Sequence, residues 1–461
     1  MGKSLIRDVG GHDSRKHGAT LFSALALGCL MALPSALRAE DLLSIFRLAS
    51  ENDPQVRAAF ARYQAVQQAV PQARAGLLPQ VNATLARNRN AEEVSTDAFI
   101  FSRPAGRASY YSDSYEVNLS QVLYDRALWT RLDQASAEVR RAALEYRAAR
   151  QNLILRVAEA YFRVLLAQET VALAEAERQA LARNLEAAEG RRRAGSGTII
   201  EVHEARARFQ VSAAQLIEAT NELADSREAL REISDRLPGN LQGLGDDTAF
   251  QAPEPAELSA WIETALQQNS EVLAAREALE VARLEIDRNR AGHFPTLEMV
   301  GTHSRHDADA SIPGPGIRAD DTLIGVQLTI PLYQGGAVSA RTEEAAHRYG
   351  AAREELEARR RAVERSTRAA FQGVMASLAR IDALELAINA AESALQAKTE
   401  GRGFGLYTTL DVLDATRELY QARRDLAEAQ HTYLSNLLQL KYAAGVLAED
   451  DVLAVNAWLR P

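Results

Sequence analysis

The feature that most constrains this chain is an internal duplication. The segment Arg74-Ala-Gly-Leu-Leu-Pro79 returns 216 residues later as Arg290-Ala-Gly-His-Phe-Pro295. A second segment, Gly195-Ser-Gly-Thr198, returns 210 residues later as Gly405-Leu-Tyr-Thr408. Two copies that stay nearly in register predict one structure built from two similar halves, although length alone would predict about three domains.

The first 39 residues are typical of an export signal. Positive charges at Lys3 and Arg7 precede an apolar run and then small residues, and the run is shorter than the roughly 20 residues that span a bilayer. A lipoprotein anchored through Cys29 is the alternative, which Ala26 disfavours because a bulky aliphatic residue is expected there. Cleavage of residues 1–39 removes the only cysteine, so the mature chain is expected to have no thiol chemistry.

The charge and hydropathy of the chain disfavour two classes of protein, those that bind nucleic acid and those with transmembrane helices. The formal net charge is −9, which disfavours nucleic acid because phosphate binding needs a basic surface. No other stretch is long and apolar enough for a transmembrane helix. If the mature chain enters a membrane, it must therefore do so as strands.

Each half begins with a helix and a pair of strands. Residues 41–74 predict a helix that Pro79 terminates, and two polar segments, residues 87–113 and 303–320, predict loops. Apolar and polar residues alternate with a period of two in four segments, which predicts strands. These strands lie near residues 80–87, 114–122, 296–302 and 322–330.

A very long helix follows each strand pair. From Asp125 to Glu189 there is no glycine and no proline across 65 residues, which predicts a helical rod of about 98 Å. The counterpart, residues 337–400, contains Gly350 and Gly373, which leave its continuity open. Each rod ends in a glycine turn that a return helix follows. The predicted units are a first repeat 40–236 with hairpin 125–236, a linker 237–257, a second repeat 258–445 with hairpin 337–444, and a tail 446–461.

Four amphipathic strands allow two interpretations. They could form a half-buried sheet of a soluble domain, or a membrane barrel with lipid outside and water inside. Four strands cannot close a barrel, since the smallest have about eight, and open edges cannot lie in lipid. The membrane interpretation therefore requires several copies of the chain to contribute strands to one barrel.

The duplicated motifs resemble those of one family, the TolC-like outer-membrane efflux and secretion channels. They include Leu123-Tyr124, its repeat Leu332-Tyr333 with Gly335-Gly336 after it, the run Gly405-x-x-Thr408-x-x-Asp411, and the ending Tyr433-Leu-Ser-Asn436. The resemblance covers nearly all of the mature chain. It implies a mainly α fold with membrane β: a homotrimer whose 12-stranded barrel in the outer membrane is continued by an α-helical barrel across the periplasm.

The same resemblance implies a passive exit duct for type I protein secretion or drug efflux, with no cofactor and no catalysis. Its implied partners are outer-membrane lipid, a periplasmic adaptor and an inner-membrane ABC or proton-driven transporter. A periplasmic adaptor with coiled-coil hairpins is the alternative, although adaptors typically have one hairpin. A secreted enzyme with a helical stalk is a third class, but no catalytic constellation is visible.

The resemblance also places a gate at the glycine turns. In the family, two aspartates one helical turn apart ring the constriction, and Asp411 and Asp414 match them. Their spacing places both on one face of the return helix, so a trimer would direct six carboxylates at a narrow pore and favour cations. The alternative is that they complement the positive N-terminus of that helix. Glu201 occupies the first aspartate's place in the first copy, and the tip turns contain Gly195, Thr198, Gly405 and Thr408.

Two further tip residues depart from the family pattern. An aromatic residue is usual before the tip glycine and an arginine after it, but here Arg402 precedes Gly405 and Tyr407 follows it. The hypothesis is that Arg402 pairs with Asp411 or Asp414 of an adjacent hairpin and that Tyr407 supplies a hydrogen bond.

One cluster has the residue types of a metal site, His303-x-x-His306-Asp307-x-Asp309. It falls in a predicted external loop, where no helix fixes the geometry. A solvated polar loop is therefore the favoured interpretation, and no metal site is predicted.

Overall fold

A computed structural model describes residues 40–94, 106–245, 248–311 and 314–460, so the predicted signal segment 1–39 lies outside the described residues. The helices are α1 Leu42–Asn52, α2 Pro54–Gln67, α3 Ala69–Ala75, α4 Arg126–Arg193, α5 Ile199–Ser234, α6 Leu258–Gln268, α7 Ser270–Arg290, α8 Ala337–Gly403, α9 Thr409–Ala444 and α10 Glu449–Asn456. The strands are β1 Gln80–Val94, β2 Gly106–Tyr124, β3 Gly243–Leu244, β4 Thr296–Ser311, β5 Gly314–Thr329 and β6 Leu459–Arg460. Within the described ranges, no helix is both long enough and apolar enough to cross a membrane.

The single helix predicted over residues 41–74 is wrong, because the chain breaks it into α1, α2 and α3. Asp53 caps α2 by accepting a hydrogen bond from the backbone N–H of Val56 at 2.7 Å, and Pro54 follows as the first helical residue. Proline fits that position because it has no N–H to pair, but it cannot continue α1. Arg156 of α4 holds the buried Asp53 carboxylate with two hydrogen bonds of 3.0 Å, which anchors this break to the long hairpin.

The two long helices are continuous. Helix α4 has 68 residues and α8 has 67, so each extends for about 100 Å. Helix α8 tolerates both of its internal glycines, and one of them has a packing reason. A Cβ at Gly373 would lie 3.0 Å from the Asn436 side chain, so glycine allows α8 and α9 to approach closely.

The helical hairpins form one layer with two outer edges. In the half nearer the tips, α4 packs against α5 and α9, and α8 packs against α9, so the order there is α5, α4, α9, α8. The contact between α4 and α9 therefore joins the two hairpins. In the half nearer the strands, α7 packs between α4 and α8. The main core lies about halfway along α4, where Tyr161, Phe162 and Tyr433 are fully buried. The linker between the two repeats is held against this core. The Tyr433 hydroxyl donates to the carbonyl of Gln251 in the linker at 2.7 Å, and strand β3 of the linker pairs with β6 near the end of the chain.

The four long strands form one antiparallel sheet with the order β1-β2-β4-β5. They extend well beyond the predicted spans, so the loops predicted at residues 87–113 and 303–320 are wrong for most of their length. Within the described residues, the outer sides of β1 and β5 have no strand partner in the chain.

The register sorts the strand residues onto two faces, because directly opposite residues of antiparallel strands share a face. One face carries Val81 opposite Leu119, and in the same row Ile324, which is 81% exposed. The other face carries Asn118 opposite Thr302, joined by a hydrogen bond of 2.9 Å. The sheet is thus apolar on one face and mostly polar on the other, as the alternation predicts, and its apolar face has no cover within the described chain.

Candidate functional site at the tips of the helical hairpins

The predicted tip residues lie in two equivalent turns at the far end of the hairpins. Gly195 lies between α4 and α5, and Gly405 lies between α8 and α9. Both have a φ of 76°, the left-handed region in which side chains other than glycine are strained. Each long helix can therefore reverse within a few residues.

Threonine caps each return helix. The Thr198 hydroxyl accepts from the Glu201 N–H at 3.2 Å, and the Thr408 hydroxyl accepts from the Asp411 N–H at 3.1 Å. The Asp411 carboxylate accepts in return from the Thr408 N–H at 2.7 Å, which completes a capping box. These hydrogen bonds from Thr408 lower the pKa of Asp411. The alternative capping role of Asp411 is thus present in the single chain.

Asp414 has a different partner. Its carboxylate accepts a hydrogen bond of 2.8 Å from Arg208, and both side chains are about half-buried. Arg208 belongs to α5, so this ion pair joins the first hairpin to the second. Sequence reasoning missed Arg208, because its spacing within α5 carries no sign of which α9 residue it faces.

A second polar cluster also joins the hairpins. Arg191, in the last turn of α4, donates to the Thr409 hydroxyl at 2.8 Å and to the Glu201 carboxylate at 3.3 Å. Thr409 is only 5% exposed, whereas the Arg191 and Glu201 side chains are each 30% exposed. Partial burial alone raises the pKa of Glu201, but hydrogen bonds from Arg191 and Thr198 outweigh it and leave that pKa below its ordinary value. Sequence reasoning identified Glu201 but missed Arg191 and Thr409.

Arg402 lies beside this cluster. Its Nη1 atom is buried and has no hydrogen-bond acceptor among the described residues. Burial and the nearby charge of Arg191 lower the pKa of Arg402, while Glu201 opposes that shift. The single chain does not pair Arg402 with Asp411 or Asp414, so their pairing across adjacent copies stays a prediction.

Tyr407 packs against the end of α8. A Cβ at Gly401 would lie 2.8 Å from the Tyr407 ring, so the ring covers this glycine closely. Between the two tips lies a cleft of about 700 Å³ lined by Arg191, Glu201, Arg402, Tyr407, Thr408 and Thr409. The tip therefore contains two hairpins linked by polar contacts around an open cleft.

The histidine cluster lies on β4, not in the predicted loop. His303 and His306 are an odd number of positions apart, so they lie on opposite faces of the sheet. The His303 Nδ1 atom lies 2.8 Å from the Thr322 hydroxyl, and Asp307 accepts from Arg318 at 2.9 Å. Among the described residues, no group of three or more His, Cys, Asp or Glu side chains is arranged to hold a metal ion.

Comparison with known proteins connects this geometry to one family. Residues 45–234 and 261–446 match the model of the outer membrane efflux protein family. The outer membrane protein TolC of Vibrio cholerae is 40% identical over 445 residues, covering 95% of this chain and 98% of that protein. The alkaline protease secretion protein AprF of Pseudomonas aeruginosa is 32% identical, covering 93% of this chain and 89% of that protein.

A solved structure shows the same fold. The Campylobacter jejuni CmeC outer membrane channel superposes with a TM-score of 0.77 at 16% identity, covering 91% of this chain and 89% of that one. At this identity the likeness establishes the fold alone. The predicted mainly α fold with membrane β is confirmed.

The chain belongs to the outer membrane efflux protein family. It is an outer-membrane export channel whose helical part extends into the periplasm, as predicted from the duplicated motifs. The periplasmic adaptor alternative is not favoured, because outer-membrane proteins match nearly the whole chain.

Proposed function

We propose that three copies of the chain assemble into one passive duct with a 12-stranded barrel and a continuous helical wall. The main support is that the outer sides of β1 and β5 have no strand partner among the described residues. Open strand edges cannot lie in lipid, so these edges must pair with strands of other copies. The helical layer has matching open edges. Val211 and Ile217 of α5 are 56% and 64% exposed, and Leu386 of α8 is 72% exposed, which fits contact between α5 of one copy and α8 of the next.

In this assembly the polar sheet face lines the lumen and the hairpin tips close its periplasmic end. Asp411 and Asp414 of three copies form a ring of six carboxylates, which favours cations. Arg208 compensates Asp414 in the present conformation, so Asp411 contributes most of the uncompensated charge.

Opening requires the hairpins to separate at the tip. The contacts at the tip that oppose separation include those of Arg191 with Thr409 and of Arg208 with Asp414, since each joins α4 or α5 to α9. Farther from the tip, Arg424 of α9 also pairs with Glu177 of α4 at 2.9 Å. Arg402 adds a further tip contact when an adjacent copy supplies its carboxylate. A periplasmic adaptor and an inner-membrane transporter engage the tips and break these contacts, and the chain itself carries out no catalysis.

The cargo proposed is protein handed over by an ABC transporter, as in type I secretion. Two relatives named for protease secretion, AprF and the PrtF protein of Dickeya chrysanthemi, are 32% and 33% identical over at least 92% of this chain. Small-molecule efflux is the second candidate. It is supported by the cobalt-zinc-cadmium resistance protein CzcC of Cupriavidus metallidurans, which matches 62% of the chain at 30% identity.

Deletion of the gene separates the two cargoes. The proposal predicts that one or more proteins disappear from the culture supernatant and return on complementation, while susceptibility to drugs and metal ions changes little. The measurement is a comparison of the secreted proteome with minimum inhibitory concentrations. An intact secreted proteome together with increased susceptibility would establish efflux instead.

A further inference from the structure

The apolar face of the sheet changes character along the strands. Near the helices it carries Val81, Leu119 and Ile324, and the change comes at the opposed pair Leu85 and Tyr115. From that level onward the same face carries charged side chains. Arg305 and Asp320 lie level with the pair, and Arg87, Asp113, Asp307 and Arg318 lie at the next level away from the helices. We call these six residues the distal charged row.

The position of the row relative to the membrane follows from its neighbours. Tyr115 and Tyr111 lie on the same face and are 49% and 44% exposed. Tyrosines form girdles where an apolar barrel surface meets lipid headgroups. Since the row begins at these tyrosines and continues away from the periplasmic helices, it lies at the level of the outer-leaflet headgroups in the proposed barrel.

The arginines of the row are not equivalent. Arg318 donates to Asp307 at 2.8 and 2.9 Å, so its guanidinium is engaged. Arg87 comes no closer than 3.6 Å to Asp113, which is beyond the range of a charge-assisted hydrogen bond. Its guanidinium instead lies 5.2 Å from the centre of the Tyr111 ring. The Arg87 side chain is 69% exposed, which leaves its N–H groups accessible to a ligand.

Arg305, like Arg87, faces a carboxylate without forming a close hydrogen bond to it. Its guanidinium lies 3.7 Å from the Asp320 carboxylate, which is too far for a charge-assisted hydrogen bond. Arg89 follows Arg87 on the same face of β1, opposite Tyr111, and forms no ion pair within the residues that the structure describes. Three exposed guanidiniums with unused donors therefore lie around one tyrosine girdle.

We propose that Arg87, Arg89 and Arg305 bind phosphate groups of lipid headgroups in the outer leaflet. A guanidinium presents paired N–H donors that match two oxygens of a phosphate. Asp113 and Asp320 keep the net charge of the row low, so its long-range attraction for a phosphate in solution is weak. A lipid phosphate reaches the arginines because the acyl chains of the lipid are inserted in the membrane beside the barrel. Inorganic phosphate is therefore expected to bind much more weakly than a phosphorylated lipid. This inference rests on the proposed barrel.

The test uses the full-length complex in zwitterionic detergent, titrated with bisphosphorylated lipid A while its thermal unfolding midpoint is followed. The native protein is expected to be stabilised. The combined variant Arg87→Gln, Arg89→Gln and Arg305→Gln is expected to bind at least about tenfold more weakly, because charge-assisted contacts are lost. Arg318→Gln is the matched control, since that arginine is already engaged, and it is expected to bind within about twofold of the native protein.

Equal stabilisation of the combined variant, or equal stabilisation of the native protein by dephosphorylated lipid A, would overturn the inference. So would an equal effect of inorganic phosphate at the same concentration. Each sample is first run on a semi-native gel. A missing heat-sensitive oligomer would contradict the proposed barrel itself, whereas an intact oligomer without a phosphate effect would contradict only the lipid site.

Discussion

Single-channel conductance is expected to rise several-fold when Arg191 and Arg208 are both replaced by serine. The two side chains make two of the contacts that join the first hairpin to α9 near the tip, through Thr409 and Asp414. Three copies would contain six such contacts. At about 0.5–1 kcal/mol each, the upper range for partly exposed pairs, they stabilise the closed tip by about 3–6 kcal/mol. A shift of that size is enough to move a mostly closed population to a mostly open one.

Arg206→Ser provides the matched control for this experiment. Arg206 also donates to a carboxylate at 2.8 Å, but its partner Glu189 belongs to the same hairpin. Its loss should leave conductance in planar bilayers nearly unchanged. The proposed gate would be contradicted by a double variant that keeps the native conductance, or by a control that conducts as well as the double variant.

Cation selectivity is expected to depend mainly on Asp411. Asp411→Asn removes the uncompensated charge at the tip but keeps an amide oxygen that can accept from Thr408, so the cation-to-anion permeability ratio should fall several-fold toward one. Asp414→Asn should change the ratio less and conductance more, because it breaks the pair with Arg208. Reversal potentials under a salt gradient measure the ratio. An unchanged ratio for Asp411→Asn would remove this residue from the pore.

The pH dependence of selectivity follows from the same contacts. Hydrogen bonds from Thr408 lower the pKa of Asp411, so its carboxylate stays charged as the pH falls from 7 and loses its charge only below the ordinary range near about 4. Selectivity should therefore persist at about pH 5 and disappear only in stronger acid. Loss of selectivity already between about pH 5 and 6 would show that another group controls it.

The duplication and the local periodicities were sufficient to predict the architecture, because each depends on neighbours in the sequence. The strands were predicted too short for a physical reason. Beyond Leu85 the outward positions carry Arg87 and Arg89, and the alternation of apolar and polar residues that identifies a strand disappears, although the backbone pairing continues. The break at Pro54 had a local signal that the alanine-rich helical pattern around it concealed.

The tip was predicted only in part. Gly195, Gly405 and the capping threonines were identifiable because their roles are local to one turn. Arg191 and Arg208 were not, because their partners lie more than 200 positions away in the chain. Which faces of two helices meet depends on how the hairpins pack, and no spacing within either helix reveals it.

The central claim is that several copies complete a barrel that one chain cannot close. The mass of the detergent-solubilised complex, measured by native mass spectrometry, tests this most directly. Three chains per complex, dissociating to single chains on heating, is the predicted result. A single chain that stays monomeric with and without detergent would contradict the account.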